Sequence, residues 1–166
     1  MSAIALRPYV PADAKRCAKI FRSSIEELAA EDYDEEQREA WASRADDEQA
    51  FGARLAEALT LLAVIDGAIA GFASLKGADE IDMLFVDPEY AGKGAGAALI
   101  EALTKLAQAR GAKRLTVDAS DAARTLFERK GFTAQRRNLM RVGDQWLANT
   151  TMTKTLAADP APPTRH

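Results

Sequence analysis

Glycines at 92, 94 and 96, in the run Gly92-Lys93-Gly94-Ala95-Gly96, have a spacing that does chemistry through the backbone rather than through side chains. Without Cβ atoms the chain approaches an anion closely, and the unpaired N–H groups of a first helical turn, with the helix dipole, favour negative charge there. A pyrophosphate is the natural guest; the other reading is a tight turn whose glycines only satisfy backbone geometry. No Gly-x-x-x-x-Gly-Lys-Ser/Thr string exists, which argues against nucleoside triphosphate hydrolysis. Gly92-x-Gly94-x-x-Ala97 does fit the dinucleotide fingerprint in its Ala form, with Asp118 near the place of a ribose-binding acid. Against that nicotinamide oxidoreductase reading, residues 87–91 separate the preceding strand from the first glycine, and a hairpin comes before the unit.

Other reactive side chains are few. The only histidine, His166, ends a Pro-rich segment, 157–166, whose composition reads as a disordered tail to a single domain over 1–156. A histidine base or histidine metal site is thereby removed. Cys17 is the only cysteine, so neither an intramolecular disulfide nor a cysteine-rich zinc site is possible, and no metal is expected. Its spacing with Ile20, Phe21, Ser24 and Leu28 puts it on the buried face of a first helix.

The elements that must position the glycine turn follow from periodicity. Residues 4–7 read as a short strand stopped by Pro8 and Pro11, and Asp13 stands in the first turn of a helix running to about Ala29. Asp34 and Gln37 have the spacing of a capping box, and Asp46 and Asp47 open another helix carrying Phe51, Leu55 and Ala58 on one face. Apolar runs at 61–65 and 69–75 flank Asp66-Gly67, a two-residue hairpin signal, and 80–86 is a further strand. These strands make an antiparallel meander. The glycine turn then leads into a helix with Leu99, Leu103 and Leu106 on one side and Gly111 as its stop. A strand at 114–119 should run parallel to 80–86 through a right-handed crossover. A short helix at 122–130 and a hairpin of 133–142 with 145–154 around Gly143-Asp144 close the chain. The expected fold class is α+β, a mixed, mostly antiparallel sheet flanked by helices.

Composition limits the partners. A formal charge of −3 supplies no field for a polyanion, and the densest basic stretch, Arg136, Arg137 and Arg141, is too small to replace it, so no nucleic acid is expected. No apolar run is long enough to cross a bilayer, and residues 1–7 lack the parts of a signal peptide. A soluble, cytoplasmic protein with no membrane partner is the expectation.

The chain resembles the GNAT acyl-CoA N-acyltransferase superfamily. The resemblance is carried by Leu84-Phe85-Val86-Asp87-Pro88-Glu89-Tyr90-Ala91-Gly92-Lys93-Gly94-Ala95-Gly96-Ala97-Ala98-Leu99 and by Ala122-Ala123-Arg124-Thr125-Leu126-Phe127-Glu128-Arg129-Lys130-Gly131-Phe132. Two blocks in the right order are much harder to obtain by chance than either alone. The resemblance implies acetyl-CoA as cosubstrate. Its pyrophosphate would rest on the amides of Gly92, Lys93, Gly94, Ala95, Gly96 and Ala97, and its pantetheine arm along Leu84, Phe85 and Val86 like an added strand. Ser120, Arg124 and Phe127 complete the implied cofactor contacts. The chain departs from the family at three positions: Ala91 replaces the signature Gln or Arg, Ser120 replaces an Asn, and Phe127 replaces the tyrosine that protonates the departing thiolate.

The reaction implied is attack of a primary amine on the thioester. A lysine-like amine, with a pKa of about 10.4, is almost wholly protonated at neutral pH and needs a base. Asp82, nearer the expected thioester, is the first choice, with Glu80 second; Ser120 or water would supply the proton that Phe127 cannot. Tyr33 and Trp41, with Asn138, Trp146 and Asn149 of the last hairpin, are expected to line the amine's site, and Glu26, Glu27, Glu31 and Asp32 to attract a cation. A module that holds acyl-CoA or a partner without turnover is the alternative. The acceptor, a small-molecule or peptide amine, is left open, as is the choice between a monomer and a homodimer paired through the last hairpin.

Overall fold

The computed structural model describes residues 3–156; the 157–166 segment, with His166, lies outside the described residues. Among the described residues seven strands form one sheet in the order β1-β2-β3-β4-β5-β7-β6. They are β1 (Ile4–Pro8), β2 (Leu59–Ile65), β3 (Ala68–Lys76), β4 (Glu80–Val86), β5 (Arg114–Ser120), β6 (Thr133–Val142) and β7 (Gln145–Thr155). The helices are α1 (Ala14–Leu28), α2 (Glu35–Ala42), α3 (Glu48–Glu57), α4 (Ala95–Ala109) and α5 (Arg124–Arg129). Pro8 belongs to β1 rather than stopping it, paired with Leu61. An edge strand tolerates a residue without an N–H.

Local signals account for the turns. Asp66 and Gly67 take φ of 50° and 80°, the two positive values that a hairpin turn of the primed type requires. Asp34 accepts from the Gln37 amide at 2.8 Å while the Gln37 side chain accepts from the Asp34 amide at 2.9 Å, completing the capping box of α2.

The sheet is covered on both faces. Leu99, Ile100 and Leu103 of α4, with Phe127 of α5, pack on Ala73, Leu75, Ile81, Leu115 and Met152. Cys17, Ile20 and Phe21 of α1 and Phe51 and Leu55 of α3 pack on Leu62, Phe72 and Met83 from the other side. Each fully buried aliphatic or aromatic side chain contributes about 1.5–3 kcal/mol. Burial pushes the Cys17 thiol up to about 12, which leaves it an inert packing group. Among the described residues no helix is long and apolar enough to cross a membrane.

Asp13 is buried ahead of α1 and accepts from Arg7 Nη1 at 2.8 Å, Arg7 Nη2 at 2.9 Å and the Val10 amide at 2.9 Å. The hydrogen bonds from Arg7 hold its carboxyl below the usual carboxylate range. A depressed folded value means that the stabilisation is present above the unfolded pKa of about 3.9 and is lost as pH falls through the folded one. Arg7 is 42% exposed, so solvent screens the pair. Asp13→Asn is therefore expected to cost about 0.5–1 kcal/mol at pH 7 in urea unfolding, with the difference from the native protein closing as pH falls past the unfolded pKa and through the lower folded one.

Candidate active site

Pairing between β4 and β5 stops after two rungs, Glu80 with Thr116 and Ile81 with Val117. Beyond them β4 remains bonded to β3 through Val86, while β5 remains bonded to β7 through Ser120. The two strands diverge in the middle of the sheet, and among the described residues the edge of β4 from Asp82 to Val86 faces no strand. An open edge of N–H and C=O groups takes an extended guest as an added strand.

A β-bulge sits at the point of divergence. Ser74 pairs with Met83 and Leu75 with Ile81, so Asp82 is the extra residue. Ile81 packs with α4, whereas Met83 packs with α1 and Asp82 meets Arg54 of α3. Two consecutive side chains thus leave on the same face.

The wedge holds a cavity of about 200 Å³. Its walls are residues 80–85 of β4, 117–120 of β5, Ala123 and Phe127, with Met140, Val142 and residues 147–149 of the last hairpin. Phe21, Tyr33, Trp41, Arg44 and Arg54 close it from the helical side. Phe21, Trp41 and Phe85 make an aromatic wall, with ring centroids 4.6 Å apart for Phe21–Phe85 and 6.0 Å for Trp41–Phe85.

At the other end of β4 the chain turns through residues 87–94 into α4. Asp87, buried, accepts from the Glu89 amide at 3.0 Å and is ion-paired to Arg16, which also donates to the Ile69 carbonyl at 3.0 Å. Those contacts fix where the turn begins. Gly92 and Gly94 take φ of 77° and 91°, and Gly94 caps α4 without any side-chain acceptor. Among the described residues the amides of Gly92, Gly94, Ala95, Gly96 and Ala97 have no acceptor, while that of Lys93 donates to the Tyr90 carbonyl at 3.4 Å. The anion cradle expected over 92–97 thus omits one amide, because Lys93 N–H closes the preceding turn; the Lys93 ammonium lies 5.7 Å from the Tyr90 ring centre. Gly96 serves a different purpose, since a Cβ there would stand 2.8 Å from the Leu126 side chain; the glycine lets α5 approach α4.

Of the carboxylates read as base candidates, Asp82 lines the cavity with both oxygens held by Arg54, at 2.9 Å from Nε and 2.9 Å from Nη2. Glu80 also lines the cavity and has no partner among the described residues. Ser120 lines it too; its oxygen accepts from the Ala123 amide at 3.2 Å, and its own proton has no acceptor among the described residues. Phe127 is 1% exposed, with its ring 5.2 Å from that of Phe132. Arg124 donates to Glu128 at 2.8 Å, one turn along α5.

Of the residues expected around the amine, Tyr33, Trp41 and Asn149 reach the cavity wall and Asn138 and Trp146 do not. The Tyr33 hydroxyl donates to the Ala148 carbonyl at 2.6 Å and accepts from the Asp121 amide at 2.9 Å, so it ties the helical layer to the end of β5. Burial raises its pKa and keeps it a neutral phenol. Trp146 is 53% exposed on the hairpin. Asn138 acts one step back, donating to Asn149 at 2.9 Å and to the Thr151 hydroxyl at 2.8 Å.

Sequence reasoning missed Arg44 and Arg54, and placed Asp118 only in the dinucleotide reading. Asp118 is the first residue of β5 beyond the last paired rung, as Asp82 is on β4. It lines the cavity and accepts from Thr151 Oγ1 at 2.6 Å. Matching the strand starts, Glu80 with Arg114, would have set Asp82 beside Thr116; the observed register lies two residues further on, and no local pattern gives it. Arg44 and Arg54 likewise had no local signal, because their approach depends on how α2 and α3 pack.

The sequence matches the Acetyltransferase (GNAT) domain over residues 29–156. It is 35% identical over 149 residues, 90% of this chain and 94% of the relative, to the uncharacterized N-acetyltransferase YafP of Escherichia coli (strain K12). Among solved structures, a GCN5-related N-acetyltransferase from Rhodopseudomonas palustris is 59% identical with a TM-score of 0.92, covering 94% of this chain and 98% of that one. The fold also matches PaiA N-acetyltransferase from Thermoplasma acidophilum, in complex with coenzyme A, at a TM-score of 0.76 and 19% identity, over 92% and 99% of the two chains. A sheet whose central strands part after two rungs, with a glycine turn at the end of the open strand, is not built from two nucleotide-binding halves, and the dinucleotide alternative falls. The chain belongs to the GNAT acetyltransferase family.

Proposed function

We propose that the chain binds acetyl-CoA with its diphosphate on the free amides at 92 and 94–97 and its pantetheine arm along Leu84, Phe85 and Val86, and passes the acetyl group to a primary amine by direct attack. The observation that carries this reading is the open edge of β4, which runs from the glycine turn at one end to three carboxylates, Glu80, Asp82 and Asp118, at the other. The thioester carbon is attacked by the deprotonated amine, the tetrahedral centre collapses, and the thiolate leaves and takes up a proton. Asp118 takes the amine's proton, directly or through one water, because Asp82 is engaged on both oxygens by Arg54. Asp82 and Arg54 then shape the wall beside it.

Ser120, whose proton is uncommitted, or a water serves the thiolate. With a reference pKa of about 8.5, a thiol leaves readily, so acid help at this step is worth the lower end of the range of about 10²- to 10⁴-fold. Phe127→Tyr, which returns a phenol to the cavity wall, is expected to raise turnover several-fold in a continuous thiol assay; a large loss would mean that the ring's packing on Phe132 tolerates no hydroxyl. The chain acts as a monomer or as a homodimer paired through β6, one of the two edges of the sheet.

The test is release of free thiol from acetyl-CoA in the presence of a panel of primary amines. Tight calorimetric binding of coenzyme A with no thiol released for any amine would favour a holding module instead, a reading that Phe127 keeps in play.

A further inference from the structure

Arg44 occupies the short turn Ser43–Ala45 between α2 and α3. Its neighbours Ala42 and Ala45 are 6% and 0% exposed, the Ser43 hydroxyl donates to the Ala40 carbonyl at 2.7 Å, and Arg22 donates to the Ala45 carbonyl at 3.2 Å. The backbone is fixed on both sides, and the Arg44 side chain joins the cavity wall. Among the described residues nothing accepts from its guanidinium, in contrast to Arg54, whose fork is engaged by Asp82. The same cavity carries Glu80 and Asp118 free of any cation and an aromatic wall of Phe21, Trp41 and Phe85.

We infer that the acceptor is a small zwitterion, a primary amine and a carboxylate on one short apolar frame, as in a free amino acid with an apolar side chain. The carboxylate pairs with Arg44, the amine lies toward Asp118 and Glu80, and the apolar part lies on the aromatic wall. A planar guanidinium with all its donors free matches one carboxylate in a two-pronged pair. A polyamine would instead bring a second ammonium to Arg44 and be opposed by like charge. The aromatic wall offers nothing to the hydroxyls of a sugar. This assignment rests on the acetyl-transfer reading and narrows its acceptor.

The experiment measures thiol release from acetyl-CoA with L-phenylalanine, L-leucine and L-methionine against phenethylamine, L-phenylalanine methyl ester, spermidine and glucosamine 6-phosphate. Calorimetric titration of L-phenylalanine into the coenzyme A-loaded protein is run alongside. The free amino acids are expected to exceed phenethylamine and the ester in kcat/KM by about tenfold or more, since a site built for a charged group rejects the analogue lacking it. Arg44→Ala is expected to lose about 10- to 100-fold on the amino acids, chiefly in KM, and much less on phenethylamine, with Arg44→Lys recovering part of the difference. Amino-acid binding that depends on Arg44 without thiol release would uphold the recognition and sink acetyl transfer. Turnover that favours spermidine, phenethylamine or glucosamine 6-phosphate, or an Arg44→Ala loss equal for every amine, would overturn the zwitterion and leave acetyl transfer standing. Absence of turnover for all three amino acids together with absence of L-phenylalanine binding overturns it as well.

Discussion

Asp118→Asn is expected to lower kcat for acetyl transfer by about 10²- to 10³-fold with little change in the affinity for coenzyme A. The side chain sits at the apex of the wedge, one residue beyond the Ile81–Val117 rung, where the parting strands first leave room between them. Thr151 Oγ1 donates to it at 2.6 Å, Asn138 donates to Thr151 at 2.8 Å, and Arg136 donates to Asn138 at 2.9 Å. This chain of donors orients one oxygen and leaves the other open to the cavity. Asparagine keeps the shape and still accepts from Thr151, so the change removes the proton acceptor and little else. Asp82→Asn is the informative partner: it leaves the Arg54 guanidinium short of a counter-charge and should disturb binding as much as turnover. If Asp118→Asn kept turnover within threefold of the native chain while Asp82→Asn abolished it, the roles assigned to the two aspartates would be reversed.

How much of this was legible depended on the range of the interaction that fixed it. Strand β4 and the capping box of α2 follow from a short apolar run and from a three-residue spacing, and both stand where those signals put them. The insertion of β7 between β5 and β6 does not follow from any local pattern, because either strand of the last hairpin has a face fit to pair with β5. The same holds at the site. The glycine turn works through its own backbone, so its residues could be named from the sequence. The engagement of Asp82 by Arg54 spans 28 residues and turns on a bulge, and the tie from Tyr33 to Ala148 spans 115. Strand alternation alone would have sent Asp82 and Met83 to opposite faces; the extra residue brings both to the face covered by α1 and α3.

Gly94→Val is expected to weaken coenzyme A binding by about 10²- to 10³-fold, through the loss of about two charge-assisted hydrogen bonds. Gly94 takes φ of 91° and ψ of 4°, a left-handed conformation that a β-branched residue reaches only with strain. Relief of that strain rotates the peptides on either side, and those peptides carry amides of the proposed diphosphate cradle. Strain also lowers stability, so a control is needed. Gly111 follows the same helix with a φ of 83° and has nothing within 4 Å of where a Cβ would stand, at the end of α4 away from the turn. Gly111→Val should therefore lose stability in urea unfolding to a similar degree and leave the calorimetric affinity for coenzyme A unaltered. Equal affinities in the two variants would mean that the glycine run serves the turn alone, and the diphosphate would have to be held elsewhere.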